Sequence, residues 1–388
     1  MKDKSAFSII SYISVIILSL VFLYVGNFVA VRGTIVTDDM TQFYEARVRR
    51  VLDIDIQSGN MNEWRIITFE AEVLRGAHRG EFITFTQSIS DHFLNLSPRQ
   101  AREGDRVLLA LSAFDSWSFV DYVRIYRILV LGSVFIALLI LFGRWKGFNS
   151  ILSLGFTCTA VFAVFIPSIT SGRSIYLSSI IVCIFSVVVT LFLIKGVNKR
   201  SAAAVLGCLG GILLAGFLTR FMNFSLELTG FTQAESVQLL TLFDTELDLH
   251  AIIFAGIIIG AVGAITDMAV SISSSLWELK TQKPEVSPAE VFSSGITIGK
   301  DIMGSSINTL VLAYLGSSLT VILVLVGWDT SVFRLINREL VIVDLLKAIV
   351  GVFGIFLTMP LTAFACAGFY TRKRGRISAG NMIYSERT

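Results

Sequence analysis

The feature that most constrains this chain is a series of long apolar runs, at approximately 9 to 31, 125 to 143, 150 to 166, 174 to 195, 201 to 221, 251 to 270, 304 to 327 and 341 to 367. A helix needs about 20 apolar residues to cross a bilayer. The runs therefore predict eight transmembrane helices, of which the third, ending at Pro167, is the shortest. Composition agrees, since 54% of the 388 residues are apolar and only 16% are charged, against roughly 45–50% and 25% in soluble domains. A net charge of +3 gives no field for nucleic acid. The partner that this composition predicts is the lipid bilayer.

Lysine and arginine in short loops set orientation. With the amino terminus in the cytoplasm, fifteen of them fall inside: Lys2, Lys4, Arg144, Lys146, Lys195, Lys199, Arg200, Lys280, Lys283, Lys300 and the tail residues Arg372, Lys373, Arg374, Arg376 and Arg387. The short outer loops and helix mouths hold only Arg173, Arg220, Arg334, Arg338 and Lys347. This bias predicts a multi-pass protein of the cytoplasmic (plasma) membrane with both termini cytoplasmic. The first run exceeds the about 7–15 residues of a signal-peptide core, and no small-residue cleavage site precedes Arg32. Residues 1–31 are thus expected to be an uncleaved signal anchor.

Residues 32–124 contain no spanning run and are expected outside. Ile67, Phe69, Ala71 and Val73 alternate with Thr68, Glu70 and Glu72, and Ile83 and Phe85 alternate with Thr84 and Thr86, which is the period of a half-buried strand. Arg75-Gly76-Ala77-His78-Arg79-Gly80 supplies turn chemistry between them, and Gly104-Asp105 introduces a buried strand from Val107 to Leu111. The predicted fold is an α-helical polytopic membrane protein of about eight transmembrane helices, with a small extracytoplasmic β domain between helices 1 and 2. That domain is an OB-like barrel or a sandwich. The membrane domain then covers residues 125–371, and residues 372–388 form a basic cytoplasmic tail. The segment Arg47-Val48-Arg49-Arg50 reads either as a solvated strand face or as a surface for anionic headgroups.

The chemistry-bearing residues are few. Cys158, Cys183, Cys208 and Cys366 all lie in predicted helices, with no C-x-x-C pair, so no metal or disulfide framework is expected. Residues 222–250 carry Glu227, Glu235, Asp244, Glu246 and Asp248 without a basic residue, interleaved with Val237, Leu239, Leu240, Leu242 and Phe243. They predict an amphipathic helix on the outer surface. The sixth span continues past a bilayer's width to Trp277, Glu278 and Lys280, and its face of Gly256, Gly260 and Gly263 permits close helix packing. Asp267, some 16 residues from the helix start, lies about 24 Å in from the outer boundary.

Ser287-Pro288-Ala289-Glu290 combines an N-cap serine, a first-turn proline and a glutamate at the third position. The 39 residues from Pro288 to Val326 are twice one crossing, which predicts a cytoplasmic or re-entrant helix, 288–303, broken near Gly304. Gly295, Gly299 and Gly304 are read as its packing positions. Asn308 and Thr309 then occur at the depth of Asp267. The predicted substrate or ion pathway is Asp267, Ser271, Ser274, Lys300, Asp301, Asn308 and Thr309, with an outer polar layer of Arg220, Asp344 and Lys347.

The stretches Gly260-Ala261-Val262-Gly263-Ala264-Ile265-Thr266-Asp267 through Trp277-Glu278-Leu279, Ser294-Gly295-Ile296-Thr297-Ile298-Gly299-Lys300-Asp301-Ile302-Met303-Gly304, and Asn308-Thr309-Leu310-Val311-Leu312-Ala313-Tyr314 resemble the YibE/F-like family of bacterial multi-pass membrane proteins. The likeness runs the full length. It departs at Gly304-Ser305-Ser306, where the family pattern reads Gly-Thr-Met, and at Lys300, where the usual basic residue is often arginine. The resemblance implies the membrane architecture and no particular activity.

Two functions follow as expectations. Acids inside a membrane are costly and therefore default functional candidates, so Asp267 and its neighbours point to a transporter or channel for a small solute or ion. The other reading is a non-transporting assembly, secretion or envelope-signalling subunit that binds a partner protein through its β domain, with or without self-association. Only three histidines occur, no H-E-x-x-H is present, and three rather than four residues separate the glycines before Lys300, so neither a metalloprotease motif nor a Walker A loop exists. No enzyme activity and no cofactor are expected.

Overall fold

The computed structural model describes residues 2–31, 42–58, 63–91, 99–111, 117–231, 239–240, 247–328 and 331–371. They cluster into two compact units, Met1–Thr34 with Phe142–Thr388, and Ile35–Leu141.

In the second unit β1 (Gln42–Ser58), β2 (Glu63–Val73), β3 (Phe82–Asp91), β4 (Arg106–Leu111) and β5 (Trp117–Tyr122) form one antiparallel sheet in the order β3-β2-β1-β4-β5. Alternation places Ile67, Phe69, Ala71 and Val73 on one face, all fully buried, with Phe85, Val107 and Leu109. Phe69 meets Phe85 edge to face, with ring centres 3.9 Å apart. The long β1 pairs with β4 through Gln42–Arg47 and with β2 from Ala46 to Ser58. Register shifts at Val48/Arg50 and Val51/Asp53 bend it, so the sheet curls. In the expected turn, the Gly80 N–H donates to the Val73 carbonyl at 2.9 Å, and Gly76 and Gly80 take φ of +96° and +88°, where a side chain would be strained. Arg49 and Arg50 pair across the strand with Glu72 and Glu70. That favours the solvated face for this basic segment.

The helices are α1 (Lys2–Val31), α2 (Ile125–Ala160), a π-helical turn (Val161–Phe165), α3 (Ile166–Thr170), α4 (Ile175–Lys195), α5 (Lys199–Ser225), α6 (Leu249–Gln282), α7 (Pro288–Trp328), α8 (Val332–Ile336) and α9 (Glu339–Thr371). Among the described residues, seven are long and apolar enough to cross a membrane, one fewer than the eight expected. The runs 125–143 and 150–166 lie in one stretch of 46 residues, Ile125–Thr170, which is two helical lengths joined at Arg144, where φ is 48° and ψ is −127°. No proline and no loop separates them; a single residue outside the helical region makes the break that the sequence places between the two runs.

Pro167 has no N–H to donate and crowds the carbonyl four residues back. The helix widens into the π turn ahead of it, and the Ala163 carbonyl accepts instead from Asn27 Nδ2 of α1 at 2.6 Å. The break expected near Gly304 is absent, and α7 runs unbroken for 41 residues. Glycine costs a helix interior only about 1 kcal/mol relative to alanine, while the Ser305 and Thr309 hydroxyls return to the Ile302 and Ser305 carbonyls at 2.8 and 2.9 Å. The segment 288–303 is thus the first part of α7.

Helix α9 lies centrally, packed against α5, α6 and α7. Most of the acidic segment expected to form an outer helix, including Glu235, Val237, Leu242, Phe243, Asp244 and Glu246, lies outside the described residues, as does the tail 372–388.

Candidate functional site

Helix α6 carries the candidate acid, and both of its surroundings follow from sequence. Its N-terminus is capped by Asp248, whose side chain accepts from the Ala251 N–H at 3.1 Å. It then runs 34 residues to Gln282. At its far end the predicted capping box forms: the Glu290 N–H donates to Ser287 Oγ at 3.2 Å, and the Ser287 N–H donates to Glu290 Oε2 at 2.9 Å. Lys283 Nζ closes the same corner on Glu290 Oε1 at 2.8 Å. The corner fixes where α7 turns back along α6.

The two faces of α6 differ in kind. Ile257, Ile258, Ala261, Ile265, Met268, Ile272 and Leu276 are fully buried toward α5 and α9. Gly256, Gly260, Gly263, Asp267, Ser271 and Ser274 recur at intervals of three and four residues on the other face. The three glycines and Asp267 are exposed, and the two serines are half-buried. A Cβ added at Gly256 or Gly263 would meet nothing within 4 Å. One at Gly260 would overlap the Tyr314 hydroxyl of α7. That hydroxyl is buried and has no hydrogen-bond partner among the described residues. Among the described residues no hydrogen bond or ion pair reaches the Asp267 carboxylate, and the possible pairing with Lys300 is not made.

Asn308, Thr309, Lys300 and Asp301 are all exposed on α7, and none is joined to Asp267 by a hydrogen bond. The packing glycines divide. Gly295 and Gly299 are buried, with an added Cβ at Gly295 coming within 2.6 Å of Ala363 and one at Gly299 overlapping Met359, whereas Gly304 faces open space. The outer polar layer resolves into two separate groups. Asp344 accepts from Lys347 Nζ at 2.7 Å and from the Ser318 hydroxyl. Arg220 instead donates to the Tyr176 hydroxyl at 2.9 Å and stacks over its ring at 4.9 Å.

Sequence reasoning missed the tightest helix contact. Gly207 and Gly211 of α5 lie against Thr362 and Thr358 of α9, where any side chain would overlap those hydroxyls, and Gly211 also faces the Gly354 carbonyl at 3.0 Å from an added Cβ. The spacing Gly207-x-x-x-Gly211 was the available signal. At the other end of the bundle, Lys199 Nζ donates to the Phe369 carbonyl at 2.9 Å, and Arg200 sits 4.6 Å over Trp277, which meets Tyr370 edge on. The Tyr370 hydroxyl closes the group on the Ser273 carbonyl at 3.0 Å.

Neither the curated proteins nor the solved structures contain a match to this chain. The profile of the YibE/F-like protein family matches residues 131–372, a span that takes in α3 to α9, most of α2, the α6 stripe and the α7 residues facing it. With well over half of its length inside that match, the chain belongs to the YibE/F-like protein family.

Proposed function

We propose that this is a multi-pass integral membrane protein that passes a small ion or solute along the polar face of α6, with Asp267 as the binding group. The observation that carries the reading is a coincidence of unpaired groups. Among the described residues, neither the exposed Asp267 carboxylate nor the buried Tyr314 hydroxyl beside Gly260 has a hydrogen-bond partner, and Gly260 and Asp267 lie seven residues or about 10 Å apart along α6. Leaving a polar group unsatisfied in an apolar medium costs several kcal/mol. A cation or water held along the stripe offsets that cost, with Ser271 and Ser274 as further oxygen ligands. In this reading Ile125–Thr170 is long enough for two crossings, and the clusters around Arg200, Lys199 and Lys283 lie on the cytoplasmic side. The sheet unit belongs outside, and its strand order together with the approach of β5 to β3 supports an OB-type barrel.

A second reading is favoured by the open glycines. Gly256 and Gly263, which face open space on the same side of α6, also fit a helix of a second copy, in a non-transporting subunit. Flux from proteoliposomes separates the two. Transport predicts flux that falls in Asp267→Asn, while the subunit reading predicts none, with efficient disulfide cross-linking of a Gly263→Cys variant between copies.

A further inference from the structure

The sheet unit contains a cavity of about 940 Å³ with a strongly basic lining, within the range of small-molecule sites. Five arginines reach it: Arg75, Arg99, Arg106, Arg124 and Arg127. Three carboxylates oppose them. Asp105 takes Arg99 at 2.5 Å and Asp121 takes Arg124 at 2.7 Å, while Glu45 is shared between Arg106 at 3.1 Å and Arg75 at 3.9 Å. Arg127 forms no ion pair among the described residues. Two positive charges are therefore left unneutralised in one concave site.

The guanidinium groups are also held in place before any ligand arrives. Tyr122 lies between Arg99 at 4.9 Å and Arg124 at 5.7 Å, and the Tyr126 ring carries Arg106 at 4.8 Å. Tyr122 is itself pinned by its hydroxyl, which donates to the Arg99 carbonyl at 2.6 Å. Planar guanidinium forks arranged in this way match the oxygens of a phosphate. Ile128 and Leu131 of α2 add apolar side chains to the lining. A basic lining that also offers apolar side chains suits an amphiphile with an anionic head.

We propose that this cavity binds a phosphate-bearing group, supplied either by the headgroup of an anionic phospholipid or by a soluble phosphate. The lipid source rests on the reading of α2 as a membrane span that starts near Ile125; the phosphate chemistry does not.

The full-length protein, purified in detergent, is titrated with phosphatidylglycerol in mixed micelles, with phosphatidylcholine as the uncharged reference, and separately with inorganic phosphate. Saturable phosphatidylglycerol binding is expected, weakened at least tenfold by Arg124→Gln with Arg127→Gln. Arg127→Gln alone, which removes no ion pair among the described residues, is expected to weaken it about threefold. The pair Arg49→Gln with Arg50→Gln changes charge equally outside the cavity and is expected to leave binding unchanged. Inorganic phosphate binding with the same dependence on variants, and no lipid binding, supports the site with a soluble ligand. If neither probe binds above the phosphatidylcholine background, or if the control pair weakens binding as much as the cavity pair, the proposal is overturned.

Discussion

The sheet unit and the helical unit both bury large apolar side chains, but they make their closest contacts with different residues. In the sheet, large side chains such as Ile67, Phe69 and Leu109 fill the core and charges pair across exposed strands. In the bundle the closest contacts are made by glycines and hydroxyls, as at Gly207 and Thr362 or Gly211 and Thr358. The difference follows from the surrounding solvent. Water drives large apolar groups inward, whereas lipid is as apolar as leucine, so helices associate through close approach. A lone charge consequently means different things in the two regions. On the sheet it is hydrated at little cost; on α6, Asp267 without a protein partner calls for a function.

The comparison can be broken by mutation. Phe69→Ala removes a fully buried ring from the sheet core and is expected to cost about 3–5 kcal/mol, read as a lower unfolding midpoint. Gly211→Val places a branched side chain against Thr358 and the Gly354 carbonyl, an overpacking expected to cost about 1–3 kcal/mol by thermal unfolding in detergent. Gly263→Ala meets nothing within 4 Å and is expected to be neutral or to stabilise by up to about 1 kcal/mol through helix propensity. If Gly263→Ala destabilises as much as Gly211→Val, the two faces of the bundle are not distinct.

The smallest effect concerns pH. The Arg124 guanidinium and the Tyr122 N–H hold the Asp121 carboxyl below its ordinary 3.8. A depressed carboxyl contributes stability above its ordinary value and loses it as the pH falls below 3.8. Because the pair is fully exposed, Asp121→Asn is expected to lower the unfolding midpoint slightly at neutral pH, with the gap to wild type closing in acid.

Much of this was legible in the residues. Period-two alternation located β2 and β3, and the Ser287–Glu290 signature located the start of α7, because both are local codes. The break between the second and third runs was legible from the charged pair Arg144 and Lys146, though not its form, since one non-helical residue at Arg144 and not a loop separates the two lengths. Gly304 misled, since a glycine weakens a helix without obliging it to break. The contact of α5 with α9 was hidden because nothing local says which glycine stripe meets which helix. Asp267 was found from its cost alone, and its lack of a partner emerged only from the fold.

In the proposed function Asp267 serves a passing ion or solute, which flux in proteoliposomes of wild type and Asp267→Asn tests, read with reporters for protons, sodium, potassium and magnesium. Wild-type flux above empty liposomes is expected for at least one of these, reduced at least tenfold in the variant. Wild-type vesicles no leakier than empty ones, or a variant that conducts as well as wild type, would contradict that function.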